Sequence, residues 1–299
     1  MRTTKRFTPA VLERFSREGR GLGIFEDYSG WHKITRGDPT SDGRSHIMTV
    51  CGRPHDFLSD LERNTALFAW MNLRLVDLRE QFPLSLEPSV HELAAYGAAS
   101  HWKIYPGTLQ IAKDLSIRHP SITGDGRKTP WIMSTDQLLA IRATDGRLIA
   151  IALCCKYNND ILSKRKRQLL AIERAYWMAR GVQWLLITET LANPYVIDNL
   201  VRTWHWGLIS SPTQQHLHYA MEQGRALEGH PIHTTLHRLA DKLGSLGLAQ
   251  DAFWRAVWTG RLPMQLLTGW RPSDRLRLMG PRDFWLQNPV VAGRCAWTN

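Results

Sequence analysis

The stretch MSTDQLLAIRATDGRLIAIALCCK, residues 133–156, decides how the chain folds. It reads as two apolar strands joined by a tight turn around Thr144-Asp145-Gly146. Asp136 lies near the start of the first strand and Lys156 at the end of the second, so both fall at the open end of the hairpin. The segment LIAIALCC, 148–155, is apolar on both faces, as a strand in the middle of a sheet is. Side chains alternate, which puts Cys154 and Lys156 on one face and Ile149, Ile151, Leu153 and Cys155 on the other. A two-residue Asp-Gly loop would pair Asp136 with Cys155. A three-residue loop, Thr144–Gly146 with Gly146 left-handed, pairs Asp136 with Cys154. Only that register sets Asp136 beside Lys156, because directly opposed residues share a face. The three-residue loop is the expectation.

Upstream, SHIMTV at 45–50 reads as a strand and the GRP at 52–54 as a turn. FLSDLERNTALFAWM, 57–71, carries Leu58, Leu61, Phe68 and Met71 along one helical stripe, with Ser59 or Asp60 available as a cap, Asp60 being read as one. LRLVDLREQFPL, 73–84, follows as a strand stopped at Pro83. Between 85 and 130 the pattern weakens: VHELAAYGAA and GTLQIAKDL suggest short helices, and RHPSITGDGRKTP reads as loop. After the hairpin, SKRKRQLLAIERAYWMARG is a helix with an apolar face from Leu169, Ile172 and Tyr176, closed by Gly181. VQWLLIT at 182–188 is a further buried strand. The order predicts an α/β fold with a mixed sheet flanked by helices.

Beyond about residue 190 strands fade and helical segments dominate. Helices at 234–243 and 249–259, joined by GSLG, suggest a helix-turn-helix or winged-helix unit or a small helical protein-binding domain. The expected division is 1–190 and 191–299.

The 299 residues suffice for a sizeable core and one or two domains. No apolar run approaches the roughly 20 residues of a membrane helix. The basic N-terminus lacks the apolar centre of a signal peptide, which points to the cytoplasm. Four scattered cysteines without a C-x-x-C pair exclude a disulfide framework or zinc knuckle. A net charge of +11 favours a polyanionic partner, nucleic acid above all.

Asp136 beside Lys156 has two readings. One is a surface ion pair worth under about 1 kcal/mol. The other is a metal-dependent phosphodiesterase site. Asp136 and the Cys155 carbonyl would then offer oxygen to a hard divalent cation. Lys156 would orient or deprotonate the attacking water, or stabilise charge on the phosphate. Such a site wants a second carboxylate. Glu62, beside the apolar stripe of its helix, is the candidate; an exposed helix carboxylate is its commoner fate. Glu173 flanks the apolar face of the helix after the hairpin and could reach the same place, or pair with Arg174 or Arg180 in solvent. The run Lys164, Arg165, Lys166, Arg167 ordinarily makes a solvated face. One loop from a phosphodiesterase centre it would neutralise DNA phosphates.

Several stretches together resemble the TnsA family, the endonuclease subunit of heteromeric transposases. They are EGRGLGIFEDYSGW (18–31), GRSHIM (43–48), FLSDLE (57–62), DLREQFPL (77–84), IRHP (117–120), MSTDQLL (133–139), IERAYW (172–177) and ANPYVIDNL (192–200). Beyond residue 200 only LPMQLLTGW is similar. The resemblance implies a restriction-endonuclease-like fold and Mg2+-dependent nicking of double-stranded DNA at the 5′ ends of a transposon. It implies two partners: an RNase-H-like, TnsB-like transposase subunit that cuts the 3′ ends, and an AAA+ ATPase regulator of the TnsC type. Glu62, Asp136 and Lys156 match the family's active-site positions. Where the nuclease pattern has Glu, Asp or Gln, two residues before the lysine, this chain has Cys154, a poor ligand for Mg2+. That departure leaves room for Mn2+, for a water in place of the ligand, or for a catalytically silent subunit bridging transposase and regulator. A stand-alone restriction-type nuclease is a weaker reading, since no target-recognition domain is evident.

Overall fold

The computed structural model describes residues 6–38, 44–97, 103–269 and 271–298. Gly43 of the GRSHIM stretch and residues 98–102 lie outside them. The chain forms two compact units. One comprises Met1–Ala66, Arg74–Glu189 and Ala296–Asn299; the other comprises Leu67–Leu73 and Thr190–Cys295.

In the first unit, helix α1 (Pro9–Arg17) precedes a hairpin of β1 (His46–Val50) and β2 (Arg53–Phe57). Helix α2 (Asp60–Trp70) and the long strand β3 (Leu75–Pro83) follow. A short pair, β4 (Ser89–Val90) and β5 (Ile104–Tyr105), leads to α3 (Thr108–Asp114) and the hairpin β6 (Ser121–Gly124) and β7 (Arg127–Pro130). Then come β8 (Ser134–Arg142), β9 (Leu148–Cys155), the short α4 (Asn158–Ile161), α5 (Lys164–Ala179) and β10 (Gln183–Ile187). Four strands make one sheet in the order β10-β9-β8-β3. β9 and β10 are parallel, linked by α5 as a crossover helix, and the other pairs are antiparallel. This is the mixed sheet that the sequence predicts.

The central hairpin takes the three-residue loop. Arg142 pairs with Leu148, the Ala143 N–H donates to Arg147 O at 2.8 Å, and the Gly146 N–H closes the turn on Ala143 O at 3.0 Å. Gly146 has φ +85°, a conformation that a side chain disfavours. At the open end the β8–β9 ladder closes with Gln137 opposite Leu153. One step further along this register Asp136 stands opposite Cys154. Even-numbered residues of the hairpin, among them Leu138, Ala140, Ala150, Ala152 and Cys154, share a core with Leu170, Ile172, Tyr176 and Trp177 of α5. On the opposite face Gln137 Nε2 donates to Glu62 O of α2 at 2.6 Å. Helices therefore cover both faces at the hairpin's open end.

Three readings of the sequence need correction. Arg53–Phe57, whose first two residues looked like a turn, is a strand; Arg53 and His55 are buried because both hydrogen-bond to the Glu80 carboxylate. The stretch read as loop at 118–130 contains the β6–β7 hairpin, turned by Asp125 (φ +54°) and Gly126 (φ +73°). Two successive left-handed residues are what an Asp-Gly turn provides, but the polar flanks hid the strands. Ser59, not Asp60, caps α2: Ser59 Oγ accepts from Glu62 N at 3.2 Å, while Asp60 pairs with Arg44 and His46.

The second unit is helical: α6 (Pro194–Trp204), α7 (Gln214–Ala226), α8 (Ile232–Leu243), α9 (Leu246–Trp258) and α10 (Pro281–Leu286). α8 and α9 join through Gly244 (φ +89°) and Ser245, whose Oγ accepts from Leu248 N. Among the described residues its β pairing consists of two single bridges, Pro231–Arg275 and Met264–Leu278. α9 buries Phe253, Trp254 and Trp258 completely or nearly so, and Trp258 Nε1 donates to Thr203 Oγ1 at 2.9 Å. No helix among the described residues is long and apolar enough to cross a membrane.

Candidate active site

β8 and β9 bring Asp136 and Lys156 together. Lys156 Nζ donates to Asp136 Oδ2 at 2.7 Å, and the same oxygen accepts the Cys155 N–H at 2.6 Å. Asp136 is buried, whereas the Lys156 side chain is 36% exposed. Lys156 N continues the parallel ladder by donating to Ile187 O, which fixes the root of the side chain. Burial works against charge on the ammonium. Asp136 outweighs it, with help from Glu173, and holds the lysine pKa well above its ordinary value. Lys156 is thus a charged donor, not a proton acceptor. Asp136 Oδ1 makes no hydrogen bond among the described residues.

Glu62 approaches from α2. Ser59-Asp60-Leu61-Glu62 is an S-x-x-E helix start, in which a serine caps the helix and the glutamate folds back. Glu62 Oε2 accepts from Leu58 N (2.8 Å) and Gln81 Nε2 (2.9 Å), and Oε1 from Ser59 Oγ (3.1 Å). Burial, then the charge of Asp136, raises its pKa to about 7, against the pull of Lys156. Gln81 stands across from Asp136 in the β3–β8 pairing with φ +47°, rare for a residue with a side chain. Such irregularities concentrate where function needs a side chain aimed out of the strand's alternation.

Glu173 approaches from α5. It is buried rather than solvated, and neither Arg174 nor Arg180 is its partner: Arg180 pairs with Glu92. Glu173 Oε1 accepts from Thr135 Oγ1 (2.9 Å) and Trp184 Nε1 (3.2 Å). Trp177 Nε1 in turn donates to Thr135 Oγ1 at 2.6 Å. Burial and Asp136 raise the Glu173 pKa to about 7. Asp136 and Lys156 are therefore flanked by two glutamates, one on each side of the sheet, both poised near neutrality. Cys154 is fully buried, and burial pushes its thiol well above the usual range, so it offers no thiolate ligand.

A cleft of about 280 Å³ opens over this centre and is lined in part by Ser134, Asp136, Lys156, Asp160, Lys166 and Glu173. Glu62 is not among its lining residues. Of the basic run, Lys166 reaches the cleft and pairs with Asp160. Lys164 and Arg165 are exposed. Arg167 turns away, donating to Thr298 O at 3.2 Å and lying over the Trp297 ring.

The donor set suits a hard cation. Among the described residues no three His, Cys, Asp or Glu side chains gather into a cage. Mg2+ does not need one, since it keeps several waters and takes one or two carboxylates together with substrate phosphate oxygens. Asp136 and Glu173 are carboxylates lining the cleft that could offer oxygen to such an ion. The expected Cys155 contribution is its carbonyl; the group that the structure sets against Asp136 is its N–H.

Sequence reasoning missed the residues that hold these groups. Gln81, Thr135 and Trp184 act through hydrogen bonds that no spacing announces. The S-x-x-E pattern was the available signal for the Glu62 geometry.

Residues 74–189, which include Asp136, Lys156 and Glu173 but not Glu62, match the family described as TnsA-like endonuclease N terminal. Over 196 residues the chain is 33% identical to transposon Tn7 transposition protein TnsA of Escherichia coli, a stretch covering 65% of this chain and 62% of that relative. Over this segment the chain is similar to the TnsA family. It spans less than two thirds of the relative's length.

Proposed function

We propose that the chain is a metal-dependent DNA endonuclease that nicks the 5′ ends of a transposon as one subunit of a heteromeric transposase. The observation that carries this reading is the Asp136–Lys156 pair at the floor of a cleft, inside the segment that matches the family. The sheet, covered by α2 and α5 on its two faces at the hairpin's open end, supports a restriction-endonuclease-like architecture.

In this reading a DNA phosphate enters the cleft. Lys156, kept charged by Asp136, directs its ammonium at the phosphate oxygens, where negative charge grows as water attacks phosphorus and the P–O bond to the departing deoxyribose oxygen breaks, the proton lost by the water ending on that oxygen. Asp136, Glu62 and the Cys155 carbonyl would hold Mg2+ or Mn2+, which when bound supplies Lewis-acid stabilisation and a more acidic water. Glu173, fixed by Thr135 and Trp184, keeps a second carboxyl group facing the cleft. Lys164, Arg165 and Lys166 would contact the DNA backbone, with Arg167 committed to the chain's own residues 297–298. A TnsB-like transposase would supply the 3′ cuts and end recognition, and a TnsC-like ATPase the regulation. Residues 191–299 would contact these partners or DNA, in the bacterial cytoplasm.

Cys154 favours a second reading, a catalytically silent subunit bridging transposase and regulator. Calorimetric titration with Mn2+ separates the two. The nuclease reading expects binding heat in the wild type and none in Asp136→Ala. Absence of any Asp136-dependent heat sinks it.

A further inference from the structure

The cleft over Asp136 and Lys156 is wider and more apolar than a phosphate needs. Beside its five charged residues it is walled by Pro120, Trp131, Met133, Ile161 and Leu169. A DNA backbone offers such a wall only the small C–H faces of its sugars and charged phosphates. The π-face of a base offers more. Proteins that hold unpaired nucleotides combine cations that track the backbone with an aromatic side chain that stacks the base. This cleft joins both features: Lys156 and Lys166, each paired with an aspartate of the same lining, and Trp131.

Trp131 is also held rigidly for such a task. Its backbone N–H donates to Pro120 O at 2.9 Å. His32 stacks on it with ring centroids 5.8 Å apart and an interplanar angle of 18°, and Phe7 meets it edge-on at 4.8 Å. Burial pulls the His32 imidazole down to a pKa of about 4, so this neighbour stays neutral and adds no charge of its own. The half-buried indole is thereby fixed by the N-terminal segment while still lining the cleft.

Resting on Asp136 and Lys156 as the nuclease centre, we infer that this cleft takes an unpaired nucleobase next to the scissile phosphate, stacked against Trp131. The substrate class is then DNA with a locally opened strand, not a fully stacked duplex. The base would leave its stack as the phosphate settles on Lys156, a cost that is least where the strand is already frayed or distorted.

The test uses the full chain in EDTA, so that no strand is cut. The probe is a short duplex bearing a 5′-phosphorylated single-nucleotide flap, which carries either 2-aminopurine or an abasic residue. Wild type is expected to bind the 2-aminopurine flap about tenfold tighter than the abasic one, with quenching of the aminopurine emission. Trp131→Ala should reduce that ratio to near one, and Trp131→Phe should retain most of it. Ile161→Trp fills the cleft from its rim and should abolish the preference without touching the packing around Trp131. It decides the question if Trp131→Ala fails to fold. Equal affinity of wild type for both flaps overturns the inference. So does a preference that survives both Trp131→Ala and Ile161→Trp. Nicking by Asp136→Ala, measured in parallel with Mg2+, keeps the two readings apart. Lost nicking with equal flap affinities removes the base site alone. Intact nicking with a Trp131-dependent preference removes the nuclease assignment and leaves the base site standing.

Discussion

Asp136 Oδ2 accepts two hydrogen bonds, from Lys156 Nζ at 2.7 Å and from Cys155 N at 2.6 Å. A single carboxylate oxygen thus ties the end of β9 to β8 and sets the charge of the lysine. Removing either partner has consequences for rate and stability. Lys156→Met leaves the buried Asp136 carboxylate without its cation, and should cost on the order of 10²–10³ in nicking rate and also lower the melting temperature. Asp136→Asn should cost at least as much activity and also destabilise the hairpin end. Single-turnover nicking and thermal melting, run on both variants, check this.

Glu62 and Glu173 give the first unit a pH-dependent stability. Each carboxyl has its pKa raised from 4.5 to about 7 in the folded chain. A raised pKa means that the folded state binds protons which the unfolded state has released. The associated stability is fully present below pH 4.5 and is lost as pH rises to about 7. The loss should be on the order of 1–3 kcal/mol per group, less than additive because both feel Asp136. Urea melts in EDTA between pH 4.5 and 8 should show stability falling with pH. Glu173→Gln should flatten part of that slope.

Thr135 is the pivot that orients Glu173: it donates to the carboxylate and accepts the Trp177 indole. Thr135→Val removes both bonds inside a fully buried site. The stranded indole and carboxylate should cost about 1–3 kcal/mol, read from a denaturant melt. A loss well under 0.5 kcal/mol would argue that the pair rearranges freely.

Gly146 adopts φ +85° at the tip of the central hairpin, and a Cβ there would meet nothing within 4 Å. Gly146→Ala therefore isolates backbone strain from crowding. It should cost about 1 kcal/mol in stability and leave nicking unchanged, because the tip lies at the far end of the hairpin from Asp136.

The hairpin was legible because two strong local signals agree: the unbroken apolar run of LIAIALCC and a Thr-Asp-Gly turn. The Asp136–Lys156 pairing follows once the loop takes three residues rather than two, which the turn alone left open and the structure shows. The β1–β2 and β6–β7 hairpins were not, since their strands carry Arg53, His55, Arg127 and Lys128 rather than an apolar alternation. Burial of Arg53 and His55 depends on Glu80, twenty-five or more positions away. Glu62 was found by position, but its binding to Leu58, Ser59 and Gln81 was not. Trp131 and His32 meet only because loops from distant parts of the chain converge, which leaves no periodicity to read.

The basic run divides by geometry. Lys164 and Arg165 project from the first turn of α5, whereas Arg167 is engaged by Trp297 and Thr298. The double variant Lys164→Ala, Arg165→Ala should lower the slope of log affinity for duplex DNA against log salt by up to about 2. Arg167→Ala should change that slope less.

The most direct measurement is strand-specific cleavage of an end-labelled transposon-end duplex, with the partner transposase and Mg2+ or Mn2+ present, comparing wild type with Asp136→Ala. Loss of the 5′-strand nick in the variant, with the partner's 3′ cut retained, is the expected result. Identical products from both proteins would contradict a nuclease centre at Asp136 and Lys156 and make this chain a scaffold.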